Sequence, residues 1–369
     1  MNKILVNYIN FPLQYKKIKT ELLNAVEKVF ESGNFVLGQK VKKFEKNFAK
    51  YCGTEYSLGV GNGTDALFMV MKALGIGKDD EVITVPNSFI ATVGAIVATG
   101  AKPVFVDVDD DYNINPKLIE DAITKKTKAI LPVHLTGRPA SLDKILEIAD
   151  KNKFYLIEDA AQAVGAKYNG KKVGSFGIAG CFSLHPLKNL NAYGDGGVIT
   201  TKDQQIYEKL KKMRNHGLKN RDECTFFAFN SRLDELQAAI LNMKMKYLDK
   251  WTKRKCEIAN FYQEGLSDIV KVPFDKPNEE AVYHTFIIKA DKRDQLQKFL
   301  LKKGIETKIH YPIPLHLQEA SKYLNYKKGD FPKTEEQAKK ILSLPIYPEL
   351  KEEQLELVVR EIRNFYKTL

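Results

Sequence analysis

From Tyr56 to about Lys250, short apolar runs alternate with stretches of helical periodicity, and few architectures accommodate that rhythm. The segments EVITVP, KPVFVDVD, KAILPVHL and FYLIEDA predict strands. Between them SFIATVGAIVATG, NPKLIEDAIT and ASLDKILEIADKN predict helices, the last two led by caps at Asn115 and Ser141. Such a βαβ series predicts parallel strands in an α/β sheet packed by helices. With 369 residues and 44% hydrophobic content, the chain can bury a large core and still carry a second domain. The pattern changes past Trp251. A lysine-rich helical stretch, KRKCEIANFYQEGL, precedes a strand, helix, strand order in VYHTFIIKA, RDQLQKFLLKKG and IETKIHY. Two helical segments follow, EEQAKKILSL and EEQLELVVREIRNFYKTL. The expected division is a large α/β domain over 1–250 and a smaller α+β domain over 251–369.

Several function classes lose ground on composition. The four cysteines, Cys52, Cys181, Cys224 and Cys256, form no CxxC pair, so neither a zinc site nor a disulfide framework is expected, and Cys181 reads as core. The weakly polar stretch Phe89 to Ala101 is too short to span a bilayer and reads as a buried helix. MNKILVNYINF lacks the run and cleavage pattern of an export signal, so a cytoplasmic protein without a membrane partner is expected. The net charge of +12 is spread along amphipathic segments such as YEKLKKMR, with no zinc finger, RNP-type motif or polybasic tail. No nucleic-acid partner is expected.

Parallel sheets place ligands beyond the carboxyl ends of their strands, where the chemistry-bearing residues of this chain collect. After YSLGV comes GNGTDAL, in which the amides of Gly63, Thr64 and Asp65 at a helix start would face an anion such as phosphate. The bland alternative is a glycine turn with Thr64 as helix cap. No GxxxxGK[ST] loop and no complete GxGxxG motif is present. FYLIE ends in Asp159, with Gln162 just beyond, and GCF ends in Ser183. The segment SLHPLKNLNAYGDGGVIT then places Lys188 between Pro186 and the glycines Gly194, Gly196 and Gly197, where neither helix nor strand continues easily. A lysine amine, an acid at a strand end and a phosphate cradle are what pyridoxal phosphate requires. The amine forms the Schiff base, the acid keeps the ring nitrogen protonated, and amides and hydroxyls hold the phosphate.

On these residues the chain resembles the DegT/DnrJ/StrS family of pyridoxal-phosphate sugar aminotransferases over nearly its whole length. The matching text includes NFVLGQKVKKFEKNFAKYCG, GNGTDALFMVMKALGIGKDDEVITVPNSFIATV, VFVDVD, VHLTGRPASLDKI, IEDAAQAVGA, the lysine loop, MRNHG, NSRLDELQAA and HYPIPLHLQ. The resemblance implies an α/β fold of type I, like that of aspartate aminotransferase. It implies that Lys188 holds the cofactor and then moves the substrate proton, and that Asp159 pairs with the pyridinium nitrogen. By the same resemblance Gln162 bonds the ring hydroxyl, Phe89 stacks on the ring, and Thr64, Asp65 and Ser183 hold the phosphate. Asn230 is expected from the other subunit of a homodimer. His310 and Tyr311 are expected at the substrate, and His185, His134 and His216 are candidates for the sugar pocket. Lys219, Asn220 and Arg221 are candidates for the substrate diphosphate across the dimer. Lysine at 188, where dehydratase members carry histidine, favours transamination. The implied reaction moves an amino group from L-glutamate to a nucleotide-linked keto sugar, foremost a dTDP-3-keto-6-deoxyhexose. A C-4 reaction on a UDP- or dTDP-4-keto sugar is the alternative, and a regulatory relative that has lost catalysis is a further one.

Overall fold

Seven strands build the central sheet of the computed structural model, which describes residues 4–368. They are β1 (Tyr56–Val60), β2 (Glu81–Thr84), β3 (Lys102–Phe105), β4 (Thr127–Ile130), β5 (Tyr155–Asp159), β6 (Ala179–Ser183) and β7 (Gly197–Thr201). Their order across the sheet is β1-β7-β6-β5-β4-β2-β3. The strands β2 to β5, expected to be parallel, are so, and β6 joins β5 in the same sense. Only β7 runs against its neighbours β1 and β6, which the βαβ rhythm does not anticipate. A parallel return needs a crossover, usually helical, whereas residues 184–196 are taken up by the lysine loop and bring the chain straight back beside β6.

Alternation along the strands divides the core between the two faces of the sheet. Ile83, Ile130, Leu156, Phe182 and Val198 pack on one face. Val82, Ala129, Ile157, Cys181 and Ile199 pack on the other, against the helix Gly63–Ala73. Both faces being covered is why these strands read as near-continuous apolar runs. The stretch Phe89 to Ala101 holds the helix Ile90–Ala98, whose Ala95 and Ile96 are buried while Ile90 and Val97 are exposed.

NPKLIEDAIT is not an α-helix. Asn115 does cap it, accepting from the Lys117 amide, but two successive 3₁₀ turns follow, Pro116–Leu118 and Glu120–Ala122. The backbone is already extended at Ile123, which leaves too few residues for a nucleus of α-helical bonds. Ser141 precedes the helix Leu142–Asn152 without a side-chain cap bond.

Beyond the sheet, β8 (Phe286–Lys289) and β9 (Ile341–Leu344) pair antiparallel within a separate cluster that includes Tyr262, Leu300, Val358 and Ile362. The ILSL of EEQAKKILSL, expected to be helical, is β9: the helix Pro332–Lys340 stops where Ile341 turns extended, and all four residues are buried. Short apolar runs read alike in helix and strand, and burial between neighbours decides the outcome. IETKIHY, expected as a strand, makes only isolated bridges, Ile305 with Val6 and Lys308 with Ser343. The helix Leu248–Leu266 runs across residue 250, and Val6 packs into the C-terminal cluster. Among the described residues no helix is long and apolar enough to cross a membrane. None of their His, Cys, Asp and Glu side chains form a cluster of three suited to a metal.

Candidate active site

Sheet register assembles the carboxyl edge. Ser183 at the end of β6 lies opposite Gly197, which lies in turn opposite Val60 at the end of β1. The turn after β1 therefore presses against the start of β7. A Cβ on Gly197 would sit 2.2 Å from the Asn62 carbonyl oxygen, and one on Gly63 would sit 2.7 Å from Ser183 Cβ. Glycine at both positions is a requirement of close approach. Gly194 holds a φ of 143°, a left-handed value that side chains resist.

Between β6 and β7 the lysine loop is tied at almost every residue. The Lys188 amide donates to His185 O (2.8 Å), and Asn191 Nδ2 donates to Pro186 O (2.7 Å). Asn189 Nδ2 reaches Val282 O at 2.9 Å. Two buried lysines grip the loop from the helices behind it: Lys244 Nζ donates to Asn191 O (2.9 Å) and Oδ1 (3.0 Å), and Lys255 Nζ to Asn189 Oδ1 (2.8 Å). Burial lowers the Lys188 amine to about 8, against the opposing pull of Asp159. A lysine held there releases its proton far more readily than one in water, as a proton carrier near neutral pH must.

The helix Gly63–Ala73 opens at the same edge. Its cap is Asn62, not Thr64: Asn62 Oδ1 accepts from the Asp65 amide at 2.8 Å. That bond removes the Asp65 amide from the expected anion cradle. Gly63 and Thr64, in the first turn, remain without intrahelical acceptors, and Ser183 sits beside them. The Asp65 carboxylate accepts from Ser231 Oγ (2.6 Å), and the same hydroxyl accepts from the Gly61 amide (3.0 Å). Ser231 thus locks the turn from a distant segment, a contact that sequence reasoning missed.

On the acid side, Asp159 is 3% exposed, and its backbone is fixed between Pro132 O and the His134 amide. Its Oδ2 accepts from Thr92 Oγ1 (2.8 Å), which meets Ser88 Oγ at 2.8 Å, and its Oδ1 accepts from the Ala161 amide (3.2 Å). Burial pushes this carboxyl above its ordinary value, while Thr92, Ala161 and the Lys188 amine pull it down. Such a group gains most from a cation brought against it. Gln162 Oε1 accepts from the Thr136 amide at 2.9 Å. Burial pushes the Tyr311 hydroxyl up, with Asp159 raising it further and Gln162 pulling it down, and its ring lies 5.8 Å from that of Phe89. Phe89 is half-exposed at the start of the helix Ile90–Ala98, with a face free to stack. His310 Nδ1 meets Ser343 Oγ at 2.8 Å, and burial lowers its ring to about 4, helped by Lys188 and Lys308. His185 is exposed at the loop's entry, lowered by its partial burial and by Lys188.

Other candidates lie elsewhere. His134 is fully buried, with Nε2 at 3.1 Å from Glu158 Oε2 and Nδ1 accepting from the Ala140 amide, so it braces the core and not a sugar pocket. Glu158 also accepts from the amides of Gly174, Phe176 and Gly177, a structural role. His216 is exposed and donates its amide to Phe229 O. Lys219, Asn220 and Arg221 occupy an exposed loop, where Lys219 pairs with Glu223 and Asn220 accepts from the Asp222 and Glu223 amides. Asn230, also exposed, precedes Ser231. In this chain none of these lines the cavity that holds Lys188.

The arrangement fits pyridoxal phosphate on its own terms. It offers a depressed amine, a buried acid with no ion pair among the described residues, amides at a helix start with no intrahelical acceptor beside a serine, and an exposed aromatic residue. Comparison with known proteins agrees. The model of the DegT/DnrJ/EryC1/StrS aminotransferase family matches residues 16–363. A "pleiotropic regulatory protein" of Geobacillus stearothermophilus is 47% identical over 96% of each chain. The dTDP-3-amino-3,6-dideoxy-alpha-D-galactopyranose transaminase of Aneurinibacillus thermoaerophilus is 44% identical over 96% of each chain. The crystal structure of DesV from S. venezuelae, in complex with a ketimine intermediate, superposes with a TM-score of 0.97 at 38% identity over the whole of both chains. The chain therefore belongs to the DegT/DnrJ/EryC1/StrS aminotransferases, as a pyridoxal-phosphate-dependent enzyme of fold type I that transaminates sugars.

Proposed function

We propose that this aminotransferase moves an amino group from L-glutamate to the C-3 keto group of a dTDP-linked 6-deoxyhexose, in two half-reactions at a site shared within a homodimer. The observation that carries the reading is Asp159, buried at the end of β5 with no ion pair among the described residues, at the same sheet edge from which the Lys188 loop leaves β6. When bound, the cofactor supplies an electron-accepting ring. Lys188 Nζ holds it covalently and, once released, takes and returns the substrate proton. Asp159, ionised against the protonated ring nitrogen, keeps that ring electron-poor. Gln162 and Phe89 orient the ring, and Gly63, Thr64 and Ser183 form the phosphate end, with Asp65 bracing that turn through Ser231.

A dimer explains the exposed Ile90 and Phe227, and it gives Asn230 and the loop of Lys219, Asn220 and Arg221 a neighbouring site to serve. On the same reading His310, Tyr311 and His185 meet the substrate, and the chain divides near residue 250. The choice of C-3 and dTDP is supported by what the A. thermoaerophilus relative is named for. The reverse half-reaction tests it: candidate amino-sugar nucleotides are offered to the pyridoxal form, and conversion to the pyridoxamine form is followed by absorbance. Fastest conversion by a dTDP-3-amino sugar supports the assignment. Conversion by 4-amino sugars alone moves it to C-4.

A further inference from the structure

One group of buried polar atoms has no part in holding the cofactor. Lys188 shares its cavity with Lys255, Thr252, Thr285, His284 and Trp251. Lys255 is 7% exposed, and its Nζ donates to Asn189 Oδ1 (2.8 Å) and His284 O (3.3 Å). An ammonium has three hydrogens to give, so one is left over. No carboxylate among the described residues pairs with this amine, which burial lowers to about 7. Around it, Thr252 Oγ1, Thr285 Oγ1 and His284 Nδ1 are buried without a hydrogen-bond partner among the described residues, and Thr285 is 5% exposed. Orphaned buried polar atoms are uncommon in native proteins and each costs free energy, so three of them beside an uncompensated amine describe a site awaiting a polar ligand. Glu349 lines the same cavity, where burial raises its carboxyl, and it forms no ion pair with Lys255.

The surplus is of donors around an amine that burial leaves only partly protonated near neutral pH, which suits a carboxylate: two oxygens, acceptor-only, able to hold that amine in its charged form and to take its free hydrogen and two hydroxyls at once. Lys188 also lines the cavity, and its amine is the group that the donor's amino group must displace. We propose that this cavity is a carboxylate subsite for the amino donor, with Lys255 as counter-ion and the Thr252 and Thr285 hydroxyls as hydrogen-bond donors. The inference rests on the reading that glutamate is the donor.

Glutarate, which has both carboxylates of glutamate and no amine, isolates the interaction. It is titrated into the cofactor-loaded protein while the fluorescence of Trp251 is followed; this is the chain's single tryptophan and it lines the cavity. Saturable binding is expected. Lys255→Met should weaken it about tenfold or more, the usual worth of a charge-assisted hydrogen bond. The nearly isosteric Thr285→Val should weaken it several-fold and serves alone if Lys255→Met fails to fold. Absence of saturable binding, or equal affinity in the wild type and the variants, overturns the subsite. The donor assignment fails separately: it falls if glutamate cannot convert the bound cofactor to its amine form, whereas conversion by glutamate together with unaffected glutarate binding overturns the subsite alone.

Discussion

At the scale of single residues, the proposed mechanism gives the chemistry to two side chains, and each has a distinct failure. On that mechanism Lys188→Ala removes the covalent tether and the proton carrier together. Turnover should fall to background in a steady-state assay while the circular dichroism spectrum stays that of the wild type. Asp159→Asn keeps the shape and the Thr92 hydrogen bond but cannot pair as an anion with a protonated ring nitrogen. Turnover should drop roughly a hundredfold or more, the scale seen when one preorganised electrostatic partner is lost. Both positions at the carboxyl edge of the sheet were legible in the sequence, because a lysine among glycines and an acid at a strand end are local patterns. Thr92 and Ser231 were not. Thr92 lies in the first turn of the helix Ile90–Ala98 with no sequence signal of its own, and Ser231 reaches Gly61 and Asp65 only because the fold returns a distant segment to the helix start.

At the scale of elements, the lysine loop depends on how closely β7 passes the turn after β1. Gly197→Ala would drive a methyl to 2.2 Å from the Asn62 carbonyl oxygen, forcing apart the cap that presents the Gly63 and Thr64 amides. Destabilisation of about 1–3 kcal/mol is expected from such overpacking, read as a lower urea midpoint, with weaker cofactor retention on dialysis. The parallel strands β2 to β5 were legible because they are buried on both faces and bounded by turn residues. The elements misread were those whose form is set by neighbours: the 3₁₀ turns at Pro116–Ala122 and the strand β9, both short stretches in which apolar residues carry no decisive period. The reversed β7 was missed for a related reason, since strand direction follows from the path of the intervening loop and not from the strand's own residues.

At the scale of the molecule, three lysines that burial disfavours as cations, and that form no ion pair among the described residues, give stability an unusual pH dependence. Burial lowers Lys244 and Lys255 to about 7 and Lys188 to about 8, from an ordinary value of 10.5. Between roughly pH 7 and 10 the unfolded chain therefore holds protons on these amines that the folded chain has released, so stability should rise with pH across that window. Above pH 10 the trend should reverse, because burial holds Tyr8 and Tyr262 above the ordinary tyrosine value and the unfolded chain loses those protons first. Lys244→Met should remove part of the rise, roughly 2–4 kcal/mol between the two ends of the window by urea denaturation. An unchanged slope would mean that Lys244 stays charged in the fold.

The division of labour between one amine and one acid is tested most directly by sodium borohydride reduction of the cofactor-loaded protein, followed by proteolysis and mass spectrometry. The prediction is a phosphopyridoxyl group on the peptide containing Lys188 and on no other lysine, with visible absorbance lost on reduction. A label on Lys244 or Lys255, or a protein that takes up pyridoxal phosphate without becoming labelled, would contradict it.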